Sequence, residues 1–535
     1  MLAGSGVRSG NKGGIWRIPA CRAGGEQRGP GRTGIADVSV PKVAPLPVQF
    51  VTAAHVLSPD PAAPASLWQW LGRLPGPRDP RGVRYTLPCV IAISIAARLA
   101  GCDSFTAAGE WAASRPQRVL KALGCPRHKR AGIRVAPSEK TIRRVAGLID
   151  HDLADDLLCG HAAELAAAGG VLSPAQLQEQ RRDTARKAKA KARKARDKAR
   201  EAARKARAVR GRSQKQARKA ARRERKAAAA AIAGGRAKLP AGSAFGRVPV
   251  PAGHPALPAA AYGDPRHVPA LRGLGADGKA SRGAKVKGQE APQHLGFFWH
   301  GTRLNAAQRA VDRKTNETTV IGPVIDGMDL RGVCLTVDAL HSLVDLNKRV
   351  LARGGHVIFV IKGNQPRTYQ ALDAIAWEQI PVAAATFEAG RGRVETRTVQ
   401  VSAAPAGLKY PGMQQAALIE RYTTLKDKNG TAVTRSETVL ILTTASPDLA
   451  PPADLLALNR GHWAATEATH WVRDTDLKED SSRARAPGAA RFMATVGNAV
   501  LNLLRIHGVT NIAAERRRLN GSDRKILKRM GLSTG

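Results

Sequence analysis

The run Gly332-Val-Cys-Leu-Thr-Val-Asp338 packs five apolar or β-branched residues between a glycine and an acid. Such a short unbroken run reads as a strand buried on both faces. The acid that ends it would emerge at the carboxyl edge of a sheet, where open α/β sheets place their chemistry. Downstream, Leu343–Arg353 has helical spacing and Val357–Ile361 (VIFVI) is a second buried strand. Upstream, Leu295–Trp299 and Ala307–Val311 read as strands and Glu317–Met328 as a helix. Strands alternating with helices predict an α/β domain with a partly parallel sheet. From about 381 to 445 the chain turns β-rich, with Val394–Val401 and Glu437–Thr444 the clearest strands and Asp427–Gly430 (DKNG) a hairpin turn between them. Residues 455–518 are helical again, and so are residues 66–168, where Leu87–Leu99 is a buried helix and Ser138 caps another.

Charge sets the partner. The 535 residues carry 86 Lys and Arg against 42 Asp and Glu, a formal net charge of +44. That excess excludes an acidic solvating chain and predicts a polyanionic partner, nucleic acid first. Residues 181–226 alone hold 23 basic residues against four acids, set mostly in alanine. This stretch, with Arg186, Lys187, Arg193, Lys194, Arg204 and Lys205, lacks an apolar stripe and reads as a phosphate-binding arm or a solvated linker. The arm and a following Pro/Gly linker span 175–270, a Gly/Pro/Arg-rich leader spans 1–65, and 519–535 reads as a basic tail. Six scattered cysteines without a C-x-x-C pair give no zinc ribbon or disulfide framework and fit a reducing compartment. No apolar run reaches the roughly 20 residues of a membrane span, so a cytoplasmic, nucleoid-associated protein with no membrane partner is expected.

Three acids stand out by position. Asp277 opens the α/β region in Ala-Asp-Gly-Lys, Asp338 ends the buried strand, and Glu467 lies in the helical Arg460-Gly-His-Trp-Ala-Ala-Thr-Glu-Ala-Thr-His-Trp471. Converging carboxylates repel, and divalent cations relieve that repulsion. Hard oxygen ligands suit Mg²⁺, with Mn²⁺ as a substitute. An acid after a strand is equally a turn or cap residue, so spacing alone leaves both readings open.

Several motifs, in order, resemble those of DDE-class insertion-sequence transposases of the H repeat-associated (ISAs-type) family. Asp277-Gly-Lys-Ala-Ser-Arg-Gly283 resembles the family's D-G-K-T-L-R-G, and Lys314-Thr-Asn-Glu317 its K-[ST]-N-E. Thr336-Val-Asp-Ala-Leu-His341 resembles T-x-D-A-L-H, and Val360-Ile-Lys-Gly-Asn-Gln-Pro366 resembles V-K-G-N-Q-P. The block Arg460–Arg483 resembles R-x-H-W-x-x-E…H-W-x-x-D…E-D-x-S-R, and Asp79-Pro-Arg-Gly82 with Pro137-Ser-Glu139 resembles the family's N-terminal associated domain. The resemblance implies an RNase H-like catalytic core over 271–518 with a β-rich insertion at about 381–445, preceded by a helical transposase-associated domain over 66–168. It further implies metal-dependent cleavage of DNA at element ends and strand transfer into a target. Asp277, Asp338 and Glu467 would hold two Mg²⁺ ions, with Asp474 as fallback ligand. Lys279, Arg282, Lys362, Asn364, Gln365 and Arg460 would lie along the DNA, Lys362, Asn364 and Gln365 on a loop that could equally be structural. The implied partners are double-stranded DNA, as terminal inverted repeats and target, and a second copy of the chain in a homodimer.

Counted from His462-Trp463 or from His470-Trp471, the family's glutamate position falls on Thr466, and Glu467 comes one residue later. One residue turns a helical side chain by about 100°. The displaced acid keeps a second reading open, a catalytically inactive or domesticated DNA-binding relic. Trp463 and Trp471 read either as core or as surfaces for stacking on DNA, and Glu479 and Asp480 as salt-bridge or cap residues.

Overall fold

In the computed structural model, the described residues are 66–78, 83–169, 262–264, 267–312, 317–390, 392–426 and 432–532. The leader, the Asp79–Gly82 motif, the basic arm with its six named cations, Lys314–Asn316 and the Asp427–Gly430 turn lie outside them.

Helices come first: α1 (Leu67–Leu71), α2 (Leu87–Leu99), α3 (Phe105–Ala113), α4 (Gln117–Ala122), α5 (Glu139–Ala146) and α6 (His151–Gly169). Their starts follow from side chains that accept the otherwise orphaned first-turn N–H groups. Thr86 caps α2 with Pro88 in its first turn, Ser104 caps α3 and Ser138 caps α5. Every residue of α2 except Pro88 is buried, including Arg98, whose guanidinium donates to the Leu477 carbonyl at 2.9 Å.

The β elements form one ten-stranded sheet among the described residues. In chain order they are β1 (Tyr262–Gly263), β2 (Arg272–Ala280), β3 (Gln293–Trp299), β4 (Asn305–Val311), β5 (Val333–Val337), β6 (His356–Ile361), β7 (Ala384–Gly390), β8 (Arg393–Ala403), β9 (Gln415–Lys426) and β10 (Ala432–Thr443). Their spatial order is β1-β7-β8-β9-β10-β6-β5-β2-β3-β4. β2, β5 and β6 are mutually parallel, while β3 runs antiparallel beside β2 and β4 antiparallel beside β3. The β-rich stretch is not a separate module, because β10 pairs antiparallel with β6 and carries the sheet onward. β1 lies within the stretch expected to be linker, where two residues pair in parallel with β7.

Two helices, α7 (Glu317–Asp326) and α8 (Val344–Ala352), cover one face of the sheet over Leu274, Leu335, Val337 and Phe359. A short helix α9 (Pro366–Asp373) follows β6. The long α10 (Pro452–Thr475) covers the other face, setting Leu455 and Leu458 against Cys334, Ile358 and Val360. The chain then forms α11 (Ala489–Ile506), α12 (Ile512–Asn520) and α13 (Asp523–Arg529). The stretch read as a basic tail is thus partly a helix, and its Ile526 and Leu527 are buried because they complete an apolar face. They belong to one core with Trp70, Ile91 and Ile95 of the first helices and Phe492, Val500 and Leu504 of α11.

Candidate active site

Register places the first two acids side by side. Ala276 of β2 pairs with Val337 of β5 in the parallel ladder, so Asp277 and Asp338 each follow one step beyond that pair. Side chains alternate along a strand, and the Gly275, Asp277 and Lys279 side of β2 faces α10. That helix runs alongside β2 in the same direction, with Thr466 against Gly275, His470 Nδ1 3.5 Å from Asp277 Oδ2 and Asp474 2.5 Å from Lys279 Nζ. Asp338 caps a 3-10 turn, Ala339–His341, its carboxylate accepting from the Leu340 N–H at 3.1 Å.

Asp277 is the most perturbed acid of the group. Burial pushes its carboxyl up to about 7, and the charges of Asp338, Glu317 and Glu467 add to the rise, against an opposing hydrogen bond from the Gly278 N–H at 2.9 Å. Like charges gathered in a half-buried edge oppose each other's ionisation. Glu317, at the start of α7, is raised as well, by burial and then by Asp338. It pairs with the buried His341 at 3.2 Å. Hard oxygen donors in mutual repulsion have the chemistry for Mg²⁺. Their side chains are nevertheless not closed upon a point: among the described residues, no three or more His, Cys, Asp or Glu are gathered tightly enough to hold one metal ion.

Beneath the acids, buried imidazoles fix α10 to the sheet. His300 Nε2 and His462 Nδ1 lie 3.0 and 3.2 Å from the Thr336 hydroxyl, two residues before Asp338. Burial pushes His300 down to about 3 and His462 to about 4, so both are neutral at physiological pH. His300 wedges between β2 and α10 because both neighbours are glycine; a Cβ would stand 2.0 Å from its Nδ1 at Gly273 and 2.4 Å at Gly461.

Comparison with known proteins bears on the same segments. The DDE_Tnp_1-associated family matches residues 68–162. "Putative transposase YncI" of Escherichia coli is 26% identical over 246 residues, 43% of this chain and 60% of that protein. "H repeat-associated putative transposase YhhI" of Escherichia coli is 24% identical over 244 residues, 43% of this chain and 62% of that protein. The chain is thus similar to putative transposases of the H repeat-associated group. It spans about six tenths of the length of these relatives. Among solved structures, a piggyBac transposase synaptic complex with hairpin DNA aligns with 49% of this chain and 54% of its own, at 12% identity and a TM-score of 0.29.

The offset of the acid on α10 has a clear structural outcome. Thr466 is fully buried, its hydroxyl donating to the His462 carbonyl at 2.9 Å and its methyl facing Gly275. Glu467 is exposed, though its charge still reaches Asp277. Asp474, the fallback ligand, is instead engaged by Lys279. The expected DNA contact of Lys279 gives way for the same reason: the ammonium is buried between Asp474 at 2.5 Å and Asp480 at 3.6 Å. Asn364 donates to the Ala339 carbonyl at 2.7 Å and Gln365 to that of Ser342 at 3.0 Å, so both side chains hold the turn that carries Asp338. Arg460 is paired with Glu388 of β7. Lys362 and Arg282 are exposed, Arg282 lying 3.8 Å from Asp480. Glu479 forms a two-point pair with Arg473 at 2.6 Å, both buried. Trp463 and Trp471, 41% and 62% exposed, are not core; they flank Glu467 one turn to either side. Glu317 is the acid absent from the sequence-derived site, although the Lys-Thr-Asn-Glu stretch contains it.

Proposed function

We propose that this chain is a transposase that cleaves DNA at the ends of a mobile element and joins them to a target, using Asp277, Asp338 and Glu467 at the sheet edge. The observation that carries the reading is the register-adjacent pair Asp277 and Asp338, with the Asp277 carboxyl lifted by burial and then by its acidic neighbours. The order β4-β3-β2-β5-β6, with β5 and β6 parallel to a central β2, supports an RNase H-like core. Bound at these carboxylates, two divalent cations, Mg²⁺ or Mn²⁺, would activate a water or 3′-hydroxyl and stabilise the leaving oxygen. The chain's part is to hold the acids at the edge, with Asn364 and Gln365 fixing the Asp338 turn and His300 and His462 fixing α10. Neutral imidazoles below the site bring no competing positive charge. The net charge of +44 supports double-stranded DNA as partner, bound through phosphates. Exposed Lys362 and Arg282 fit such contacts, and Trp463 and Trp471 offer faces for unpaired bases. Pairing two element ends calls for a homodimer, and DNA as substrate for a cytoplasmic, nucleoid-associated site of action.

A second reading, a DNA-binding relic, is favoured by one observation: Thr466 fills the inward position on α10 and leaves Glu467 outside. An excision-and-integration assay with the gene's flanking DNA in Mg²⁺ separates the two. Wild-type products that vanish in Asp338→Asn support the transposase. No wild-type products with intact ends would leave the relic.

A further inference from the structure

We infer that Glu317 is a fourth carboxylate of the acid site, reaching the metals from the opposite side of β2 and held there by His341. The inference rests on the proposed metal-dependent site and adds a residue to it. Asp277 projects from β2 toward α10, whereas the next residue, Gly278, faces the other side. There the Glu317 carboxylate lies so close that a Cβ at position 278 would stand 1.8 Å from its Oε1. The missing side chain therefore opens a passage for Glu317 along the backbone immediately after Asp277. His341 fixes the carboxylate from behind, its Nε2 3.2 Å from Glu317 Oε2. The same imidazole ends the turn capped by Asp338, so Asp277, Glu317 and Asp338 are joined through one glycine and one short turn.

A second set of atoms points to an occupant. His341, 1% exposed, has no partner for Nδ1, and His462, 4% exposed and close to Asp338, has none for Nε2. Buried polar atoms left bare cost free energy, and the His462 imidazole, held at Nδ1 by Thr336, is near enough to Asp338 to feel its charge. A hydrated cation bound by carboxylates from both sides of β2 would bring hydrogen-bonding waters to this edge. Glu467, by contrast, sits at the exposed rim on α10.

Calorimetric titration of the full chain with Mn²⁺ alone, without DNA, tests the assignment. Affinity is expected to fall about tenfold or more in both Glu317→Gln and Asp338→Asn, the scale seen when metal-site partners are removed. Glu317→Asp, which keeps the charge and withdraws it by one methylene, should fall between Glu317→Gln and wild type. Wild-type affinity in Glu317→Gln, with Asp338→Asn weakened, overturns the role of Glu317 and leaves the acid site standing. A Glu317→Gln chain that melts earlier but binds Mn²⁺ as wild type does would make the contact with His341 merely structural, which also overturns it. No effect in Asp338→Asn would remove the metal site and this inference together.

Discussion

At the scale of single residues, the site depends on what is missing as much as on what is present. Gly273 and Gly461 admit His300, and Gly278 admits Glu317. These three differ in what a methyl group would meet. At Gly273 and Gly461 it would strike a ring locked between a strand and a helix. At Gly278 it would strike the end of a flexible side chain, which can swing away at little cost. Gly278→Ala should therefore leave the melting temperature within a few degrees of wild type, as expected when surroundings yield, while metal-dependent nicking falls about tenfold or more through the displaced carboxylate. Gly363→Ala, with nothing within 4 Å of the added methyl, is the control for a general glycine effect. Equal nicking in the two variants would show that the position of Glu317 does not matter to the reaction.

At the scale of elements, α10 shows what the sequence could and could not convey. The strands and helices around Val333–Val337 were legible because buried runs and helical spacing are local patterns, and Asp338 followed from the end of a strand. Asp277 stood out by its motif alone, since the glycines and charges of Arg272–Ala280 hide the strand β2, and its place beside Asp338 needed the pairing of β2 with β5. The helix was different, since its acids, imidazoles and tryptophans recur at every angle and only packing decides which face turns inward. His462, Thr466, Thr469 and Arg473 are buried against the sheet, which leaves Trp463, Glu467 and Trp471 on the outer side over three successive turns. The fates of Lys279, Asp474 and Arg460 were hidden for a related reason: each is settled by an ion pair with a residue brought close only by the fold. The outward tryptophans carry a prediction. Stacking on an unpaired base is worth about 1–3 kcal/mol, so Trp471→Ala should weaken binding to DNA with a single-stranded end by about tenfold and leave fully paired DNA almost unaffected. Competition binding with the two DNA forms measures the ratio; equal loss on both would mean that Trp471 only touches backbone.

At the scale of the whole molecule, the helices before the sheet and those after it are two halves of one core. α11 buries sixteen of its eighteen residues, more than a helix lying on a surface can, because it is covered by α2 and α6 on one side and reaches β4 on the other. Arg98 of α2 donates to the Leu477 carbonyl after α10, and Arg516 of α12 donates to the Arg98 carbonyl at 3.0 Å. Arg491 at the start of α11 pairs with Asp155 of α6 at 2.5 Å, and Arg309 of β4 pairs with Asp156 at 2.8 Å. Composition alone separated a helical region from an α/β region; it could not show that residues far apart in sequence would share buried charges, since those pairs arise only when the chain closes on itself. A chain cut to remove α1–α6 would bare the apolar side of α11 and leave Arg491 and Arg309 without Asp155 and Asp156. Losing one partner of a buried ion pair costs about 3–5 kcal/mol, and two such losses approach the whole stability of a domain, about 5–15 kcal/mol. The chain beginning at residue 170 should accordingly be recovered aggregated, or without a cooperative thermal transition by circular dichroism, and co-expression of residues 66–169 should restore a soluble complex that melts in one step. A soluble truncated chain with an unchanged, cooperative melt would mean that the sheet and its helices stand without the first six helices, and that the shared core contributes little to folding.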